Sequence, residues 1–249
     1  MKSGRTGAAR RISAAQAAEL VKSGDWLDYG AALSQPDAFD RALALRKAEL
    51  QSVKIRGCLA MRPRAVLEAD PERRHFHWYS WHFSGYERRK HDAGISHYIP
   101  CNLGEIPDYY RRNLDPVDVM VVKTAPQDEQ GYFNFGPSSL WNGAVAARAR
   151  IVIVETSADM PYLFGDASDH NGLHASEVDF VIEGDAEPTV ELPNQPPGEA
   201  DRAVARLIAA EVGDGACLQV GIGAMPNAVC SLLLDSGVRN LGIHTEMLT

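Results

Sequence analysis

The sequence predicts an α/β fold: an open, mostly parallel sheet with flanking helices, followed by the incomplete start of a second, similar domain. Three observations predict it. Nearly unbroken apolar, β-branched runs at Val117–Val122 and Ile151–Glu155 are the pattern of parallel strands buried on both faces. Segments with helical spacing alternate with such strands. After a proline-rich break that begins at Glu191, the same alternation starts again.

The elements follow in order. Residues 1–11 are basic and carry no apolar pattern, and are expected to be disordered. Ser13, with Gln16 three residues on, is a capping box that opens a helix running to Val21 or Lys22 and stopping at Gly24. A strand is expected around Trp26–Tyr29. Ser34-Gln35-Pro36 restarts a helix, because proline is tolerated in a first turn, and Phe39, Leu43 and Leu50 keep roughly helical spacing. Val53–Leu59 and His75–Ser80 read as strands, the second rich in aromatic residues. Pro107–Asn113 and Ser138–Arg148 read as helices on either side of the Val117–Val122 strand. The first domain spans residues 12–190. Residues 191–198 hold three prolines and a glycine, the composition of a linker. Beyond them, residues 199–249 hold a helix at Ala200–Val212, a strand at Cys217–Val220 and a glycine turn at Gly221–Pro226. A helix at Asn227–Leu234 and a strand at Leu241–His244 complete the series. Two strands and two helices cannot cover both faces of a doubly wound sheet, so this second domain is expected to be truncated.

Composition narrows the function. The 249 residues are 45% hydrophobic and 23% charged, an ordinary globular balance, with a formal net charge of −8 and no long basic stripe. Nucleic acid is therefore not an expected partner. No apolar run is long enough to cross a bilayer, and the basic N-terminus lacks an apolar h-region, so neither a membrane span nor a secretory signal is expected. Cys58, Cys101, Cys217 and Cys230 form no C-x-x-C pair and are expected to be reduced, mostly buried thiols of a cytoplasmic protein. His75 and His77 share one face of a strand, but no H-E-x-x-H or similar ligand spacing is present, and no metal is expected. G-x-S-x-G is also missing, which counts against a Ser–His–Asp hydrolase.

Three segments can carry chemistry. Gly221-Ile222-Gly223-Ala224-Met225-Pro226 follows a strand and opens a helix. Such a turn lets backbone N–H groups approach a ligand and adds the partial positive charge of a helix N-terminus, which suits a phosphate or an oxyanion. Pro226 stands where a dinucleotide fingerprint needs its third glycine. The plain alternative is a tight strand–helix turn. Glu246 lies just past a second strand, at the sheet edge where ligands of open α/β sheets bind. If the two strands are neighbours, a carboxylate nucleophile sits beside ready oxyanion donors; the alternative is a solvated strand-end glutamate. The third segment runs from Gly131 through Phe133, Phe135 and Gly136 to Ser139. It reads either as an acyl-pocket loop or as a hairpin-like tip whose aromatics pack on the core. Asp169, His170 and His174 lie in or beside the Phe164–Leu173 loop, which is a binding loop or a solvated connection.

Asp214–Val229, including Gly221-Ile222-Gly223-Ala224-Met225-Pro226-Asn227, and Leu241–Met247 resemble the acetyl-CoA hydrolase/transferase family. The wording of the second stretch is similar to the butyrate and 4-hydroxybutyrate CoA-transferase branch, as is Gly131–Ser138, and Ile12 to about Leu45 matches the family's opening helix–strand–helix. The resemblance implies two α/β domains with a cleft between them, and assigns Glu246 as the catalytic nucleophile that passes through a glutamyl-CoA thioester. It implies an oxyanion or CoA-binding role for Gly221, Gly223, Ala224, Met225, Pro226 and Asn227. No cofactor is implied beyond the CoA thioester, which is a substrate together with a small carboxylate such as acetate. Family members are often dimers, so the resemblance implies a homo-oligomer. The family's further CoA-binding surface lies beyond Thr249, so the chain alone is expected to have little or no transferase activity and to need a C-terminal half or a complementary subunit. The alternatives are an acetyl-CoA hydrolase, a catalytically silent domain binding acyl-CoA or a partner, and, by fold analogy alone, a sugar-phosphate isomerase.

Overall fold

The computed structural model describes residues 9–115, 117–165, 170–185, 187–191 and 195–245. They form two compact units divided between Thr189 and Val190.

In the first unit, β1 (Arg10–Arg11) precedes α1 (Ala14–Glu19), whose N-terminus carries the expected reciprocal cap between Ser13 and Gln16. Then come β2 (Trp26–Ala31), α2 (Ala38–Leu45), β3 (Val53–Cys58), α3 (Ala65–Ala69) and β4 (Phe76–Ser80). They are followed by α4 (Gly85–Asp92), β5 (Ser96–Tyr98), α5 (Ile106–Arg112), β6 (Val119–Thr124), β7 (Tyr132–Asn134) and α6 (Asn142–Arg148). The unit closes with β8 (Ile151–Thr156), β9 (Gly172–His174) and β10 (Phe180–Glu183). Eight strands make one sheet in the order β1-β10-β8-β6-β2-β3-β4-β5, with every pair parallel. β7 and β9 form a separate antiparallel ribbon.

The apolar runs behave as their composition demands. Val119, Val121 and Ile153 face one core cluster with Leu27, Ile55 and Trp78, while Met120, Val122, Val152 and Val154 face the other with Trp141 and Val145. Burying Trp78, Tyr29, Phe39 and Phe76 contributes roughly 2 kcal/mol or more for each ring. Strand order reverses between β2 and β6: the chain builds outward from β2 through β3, β4 and β5, then returns to β6 and continues through β8 to β10. That is the switch point at whose carboxyl-end crevice α/β sheets bind ligands.

Several expectations are corrected. Arg10 and Arg11, placed with the disordered terminus, are strand β1: Arg10 N–H donates to Asp179 O at 3.1 Å and Ile12 N–H to Val181 O at 3.0 Å. Two residues of edge pairing leave no hydrophobic alternation to read. The helix expected from Ser34 to Leu50 is broken into a 3-10 turn at Ala32–Ser34, α2, and a second 3-10 turn at Lys47–Glu49. α6 starts at Asn142 rather than Ser138, because Leu140 takes a positive φ of 35°. All four cysteines are free, but Cys58 alone is buried, Cys101 and Cys230 are intermediate and Cys217 is exposed.

The second unit contains α7 (Glu199–Glu211), β11 (Cys217–Leu218), α8 (Ala224–Leu234) and β12 (Gly242–Ile243). α7 and α8 pack together, and β11 pairs with β12 in parallel. Linker residues 192–194 lie outside the described residues. Among the described residues no helix is long and apolar enough to cross a membrane.

Candidate active site

The second unit sets β11, which leads into the glycine turn, beside β12, which precedes Thr245 in the chain. β11 and β12 are register-matched, Cys217 to Gly242 and Leu218 to Ile243. The ladder continues past them, with His244 N–H donating to Leu218 O at 2.9 Å. One step further the backbone pairing gives way to a side chain. The Thr245 hydroxyl donates to Val220 O at 2.5 Å and accepts from Val220 N–H at 3.3 Å. The residue before Glu246 is thereby tied to the residue before Gly221. Glu246 itself, the expected nucleophile, lies outside the described residues.

The turn is built as its sequence suggests. Gly223 is the N-cap of α8 with φ 130° and ψ 178°, a conformation that disfavours any side chain. Ala224, Met225 and Pro226 form the helix's first turn, and Asn227 N–H makes the first backward bond, to Gly223 O at 3.2 Å. Pro226 has no N–H, so the first-turn donors are those of Ala224 and Met225. A Cβ added at Gly221 would meet nothing nearer than Pro226 Cγ at 3.9 Å. Among the described residues no contact therefore requires glycine there. An open cavity of about 340 Å³ lies against the same two strands, lined by Cys217, Leu218, Gln219 and His244.

In the first unit the Gly131–Ser139 segment becomes β7 and the turn after it. Phe133 and Phe135 are buried in the second core cluster, so the packing reading of the two left open by the sequence describes their surroundings. Gly136 has φ 62°, and a Cβ there would meet Met160 Sδ at 2.7 Å and Pro161 O at 2.8 Å. The organiser is a residue that sequence reading passed over. Fully buried Asn134 donates to Leu163 O at 2.9 Å and His170 O at 3.1 Å, and accepts from Gly136 N–H at 2.9 Å and Leu163 N–H at 3.1 Å. His170 stacks on Tyr132 with ring centroids 3.8 Å apart, and His174 lies edge-on to the same ring. Asp169 of that loop is outside the described residues.

The switch-point edge of the large sheet holds a charge cluster that no motif announced. Asp37, just before α2, receives Arg64 Nη2 at 2.7 Å, Arg62 Nη1 at 3.3 Å and the Lys123 ammonium. Burial pushes the Asp37 carboxyl up, but the Arg64 and Lys123 charges outweigh it and hold the group below its ordinary value. Beside it, fully buried Glu155 accepts from the N–H groups of Asp37, Ala38 and Phe39 at 2.8, 3.2 and 3.0 Å, capping α2 from another strand. The only available signal was position: Lys123 and Glu155 stand near the carboxyl ends of apolar strands. Among the described residues no group of three or more His, Cys, Asp or Glu side chains is placed to hold a metal ion.

Residues 7–193 match the N-terminal domain of acetyl-CoA hydrolase/transferase. The chain is 44% identical over 236 residues to a butyryl-CoA:acetate CoA-transferase of Anaerostipes caccae, covering 94% of this chain and 52% of the relative. It is 39% identical to a probable butyrate:acetyl-CoA coenzyme A-transferase of Syntrophomonas wolfei, again covering 52% of that protein. Among solved structures it superposes on RipA from Yersinia pestis with TM-score 0.83 and 28% identity, covering 95% of this chain and 56% of RipA. On a 4-hydroxybutyrate CoA-transferase from Porphyromonas gingivalis the TM-score is 0.73 at 29% identity, covering 96% and 54%. The chain spans about half the length of the curated relatives it matches.

Proposed function

The chain belongs to the acetyl-CoA hydrolase/transferase family, and from that premise we propose that it serves CoA transfer between an acyl-CoA and a small carboxylate. The donor class is butyryl-CoA or 4-hydroxybutyryl-CoA and the acceptor is acetate, as the names of its relatives suggest. Glu246 is the nucleophile. Its carboxylate attacks the thioester carbonyl, the C–S bond breaks, and an acyl-glutamyl anhydride and CoA thiolate result. The thiolate then attacks the glutamyl carbonyl, which releases the first carboxylate and leaves a glutamyl-CoA thioester. The acceptor carboxylate attacks that thioester, and the thiolate returns to the new acyl group, so Glu246 ends as it began.

One observation supports this reading: the Thr245 hydroxyl bonds to the backbone of Val220, so the residue before Glu246 in the chain is tied to the residue before the Gly221–Gly223 turn. A carboxylate is a weak nucleophile in water, and its tetrahedral intermediates need donors fixed in place. The N–H groups of Ala224 and Met225, at the start of an eleven-residue helix, are suited to that task. Gly221, whose missing side chain no neighbour among the described residues explains, leaves room for an approaching substrate. Asn227 and Pro226 shape the same first turn.

Incubation of the chain, together with a C-terminal half that completes the second domain, with butyryl-CoA followed by hydroxylamine tests the proposal. Peptide mass spectrometry should find a hydroxamate on Glu246. A hydroxamate on another carboxylate, or acyl exchange with acetate at an unchanged rate in Glu246→Gln, would overturn it.

A further inference from the structure

The last strand of the large sheet runs into a strap that the first unit ties down at several points. β10 ends at Glu183. Gly184 N–H then donates to Thr156 O at 2.8 Å, and a Cβ on Gly184 would meet that oxygen at 2.7 Å and Glu155 Cγ at 3.1 Å, so glycine is what lets the backbone lie this close. Asp185 and Glu187 both pair with Arg41 of α2, Glu187 Oε1 lying 3.5 Å from Arg41 Nη1. Arg62, in the loop after β3, donates to Glu187 Oε2 at 2.6 Å and also to Pro188 O. Thr189 closes the strap: its N–H bonds the Asp159 carboxylate and its hydroxyl donates to Asp159 O at 2.8 Å.

β10 and β3 stand on opposite sides of the switch point between β2 and β6, so the strap closes across the edge where open α/β sheets take ligands. The ground it covers is cationic on balance. Arg41, Arg62, Arg64 and Lys123 meet Asp37, Asp40 and Glu155 there, and of these acids Asp40 and Glu155 are engaged by backbone N–H groups, those of Ala65 and of residues 37–39. Asp185 and Glu187 supply two further negative charges. The Glu187 carboxylate is held as a ligand would be, each oxygen to a different guanidinium group. Yet Arg41, Asp185 and Glu187 are each about half exposed, and ion pairs so exposed contribute only ~0–1 kcal/mol each.

We propose that Arg41 and Arg62 form an anion site for a phosphate group, shut here by the chain's own Glu187 as a tethered substitute. A phosphate dianion carries the charge that Asp185 and Glu187 bring together, whereas a simple carboxylate carries half of it. A tethered group competes at an effective concentration on the order of millimolar, so free phosphate above that range displaces it and opens the strap. The proposal does not rest on the CoA-transfer reading, because none of these residues has a part in the Glu246 chemistry.

The test uses the full 249-residue chain with inorganic phosphate, and with sodium chloride and sodium acetate at matched ionic strength. Phosphate should speed amide exchange in peptides holding Gly184 and Thr189 severalfold beyond chloride, and should raise the melting temperature. Glu187→Gln vacates the site, and should lower the phosphate concentration that gives half of the melting shift by about tenfold. Arg41→Gln and Arg62→Gln should each abolish the phosphate response; Arg41 is well exposed, and an unchanged melt without phosphate confirms that the variant folds. A phosphate response equal to that of chloride would make the strap merely ionic and overturn the proposal. So would a response indifferent to all three substitutions, and an equal response to acetate would overturn the phosphate assignment.

Discussion

The Thr245 hydroxyl both donates to and accepts from the backbone of Val220, closing the β11–β12 pairing with a side chain where the ladder ends. The relation matters because in the chain Thr245 immediately precedes Glu246, the proposed nucleophile, and Val220 immediately precedes Gly221 of the glycine turn.

Thr245→Val keeps the shape of the side chain and removes both bonds. It should slow formation of the Glu246 hydroxamate by about tenfold while leaving the fold intact, since a loosened nucleophile loses its orientation. Thr245→Ser should restore most of the rate. Single-turnover labelling with butyryl-CoA measures it, and an unchanged rate in the valine variant would show that the bonding does not position the carboxylate.

Glu155→Gln tests the cap on α2. The carboxylate accepts three backbone N–H groups in a fully buried site, and a glutamine has a single acceptor oxygen and brings an NH₂ that faces donors. The expected loss is ~2–3 kcal/mol of unfolding free energy, read from urea denaturation. A change under ~0.5 kcal/mol would mean the cap is dispensable.

Gly136→Ala should cost about 1–3 kcal/mol, because the residue must keep a positive φ and its Cβ would press on Met160 and Pro161. The local signature is faster amide exchange at Phe135, whose N–H donates to Asn171 O at 2.8 Å just beyond the β7–β9 ribbon.

Asp28 gives a pH signature. Burial raises its carboxyl to about 6 against an ordinary 3.8, opposed by the Tyr110 hydroxyl, the Gly30 N–H and the Arg56 charge. The folded state therefore holds a proton that the unfolded chain has released between those two values. The group's contribution to stability is greatest below pH 3.8, declines as pH rises to about 6, and is flat above. Asp40, raised to about 6 by burial, adds a slope of the same sign. Asp28→Asn should flatten part of the wild-type fall in melting temperature across this window. An identical pH profile for the two proteins would show that Asp28 does not titrate there.

Much of the architecture was legible because its signals are local. The Ser13–Gln16 capping box, the apolar strands and the glycine turn before α8 are each written within a few residues. The short elements were not. β1 and β5 have two and three residues, too few to show a period, and α4 escaped notice although Ser84 and Glu87 form a capping box. Glu87 is the instructive case: its fully buried carboxylate also accepts from Trp78 Nε1 and from Ala60 N–H, both at 2.9 Å, and those partners come from other elements.

By itself the sequence determined the α/β class, the approximate positions of the longer strands and helices, and the motifs that carry the family resemblance. All of these depend on which residues lie within a turn or a pleat of one another. Only the tertiary structure decided the strand order, the burial of Phe133 and Phe135 in the core and the charged cluster around Asp37. Glu155 states the reason most plainly: it caps a helix 116 to 118 residues earlier in the chain. Whether a buried charge finds its partner across such a separation is settled by packing, which no local spacing encodes.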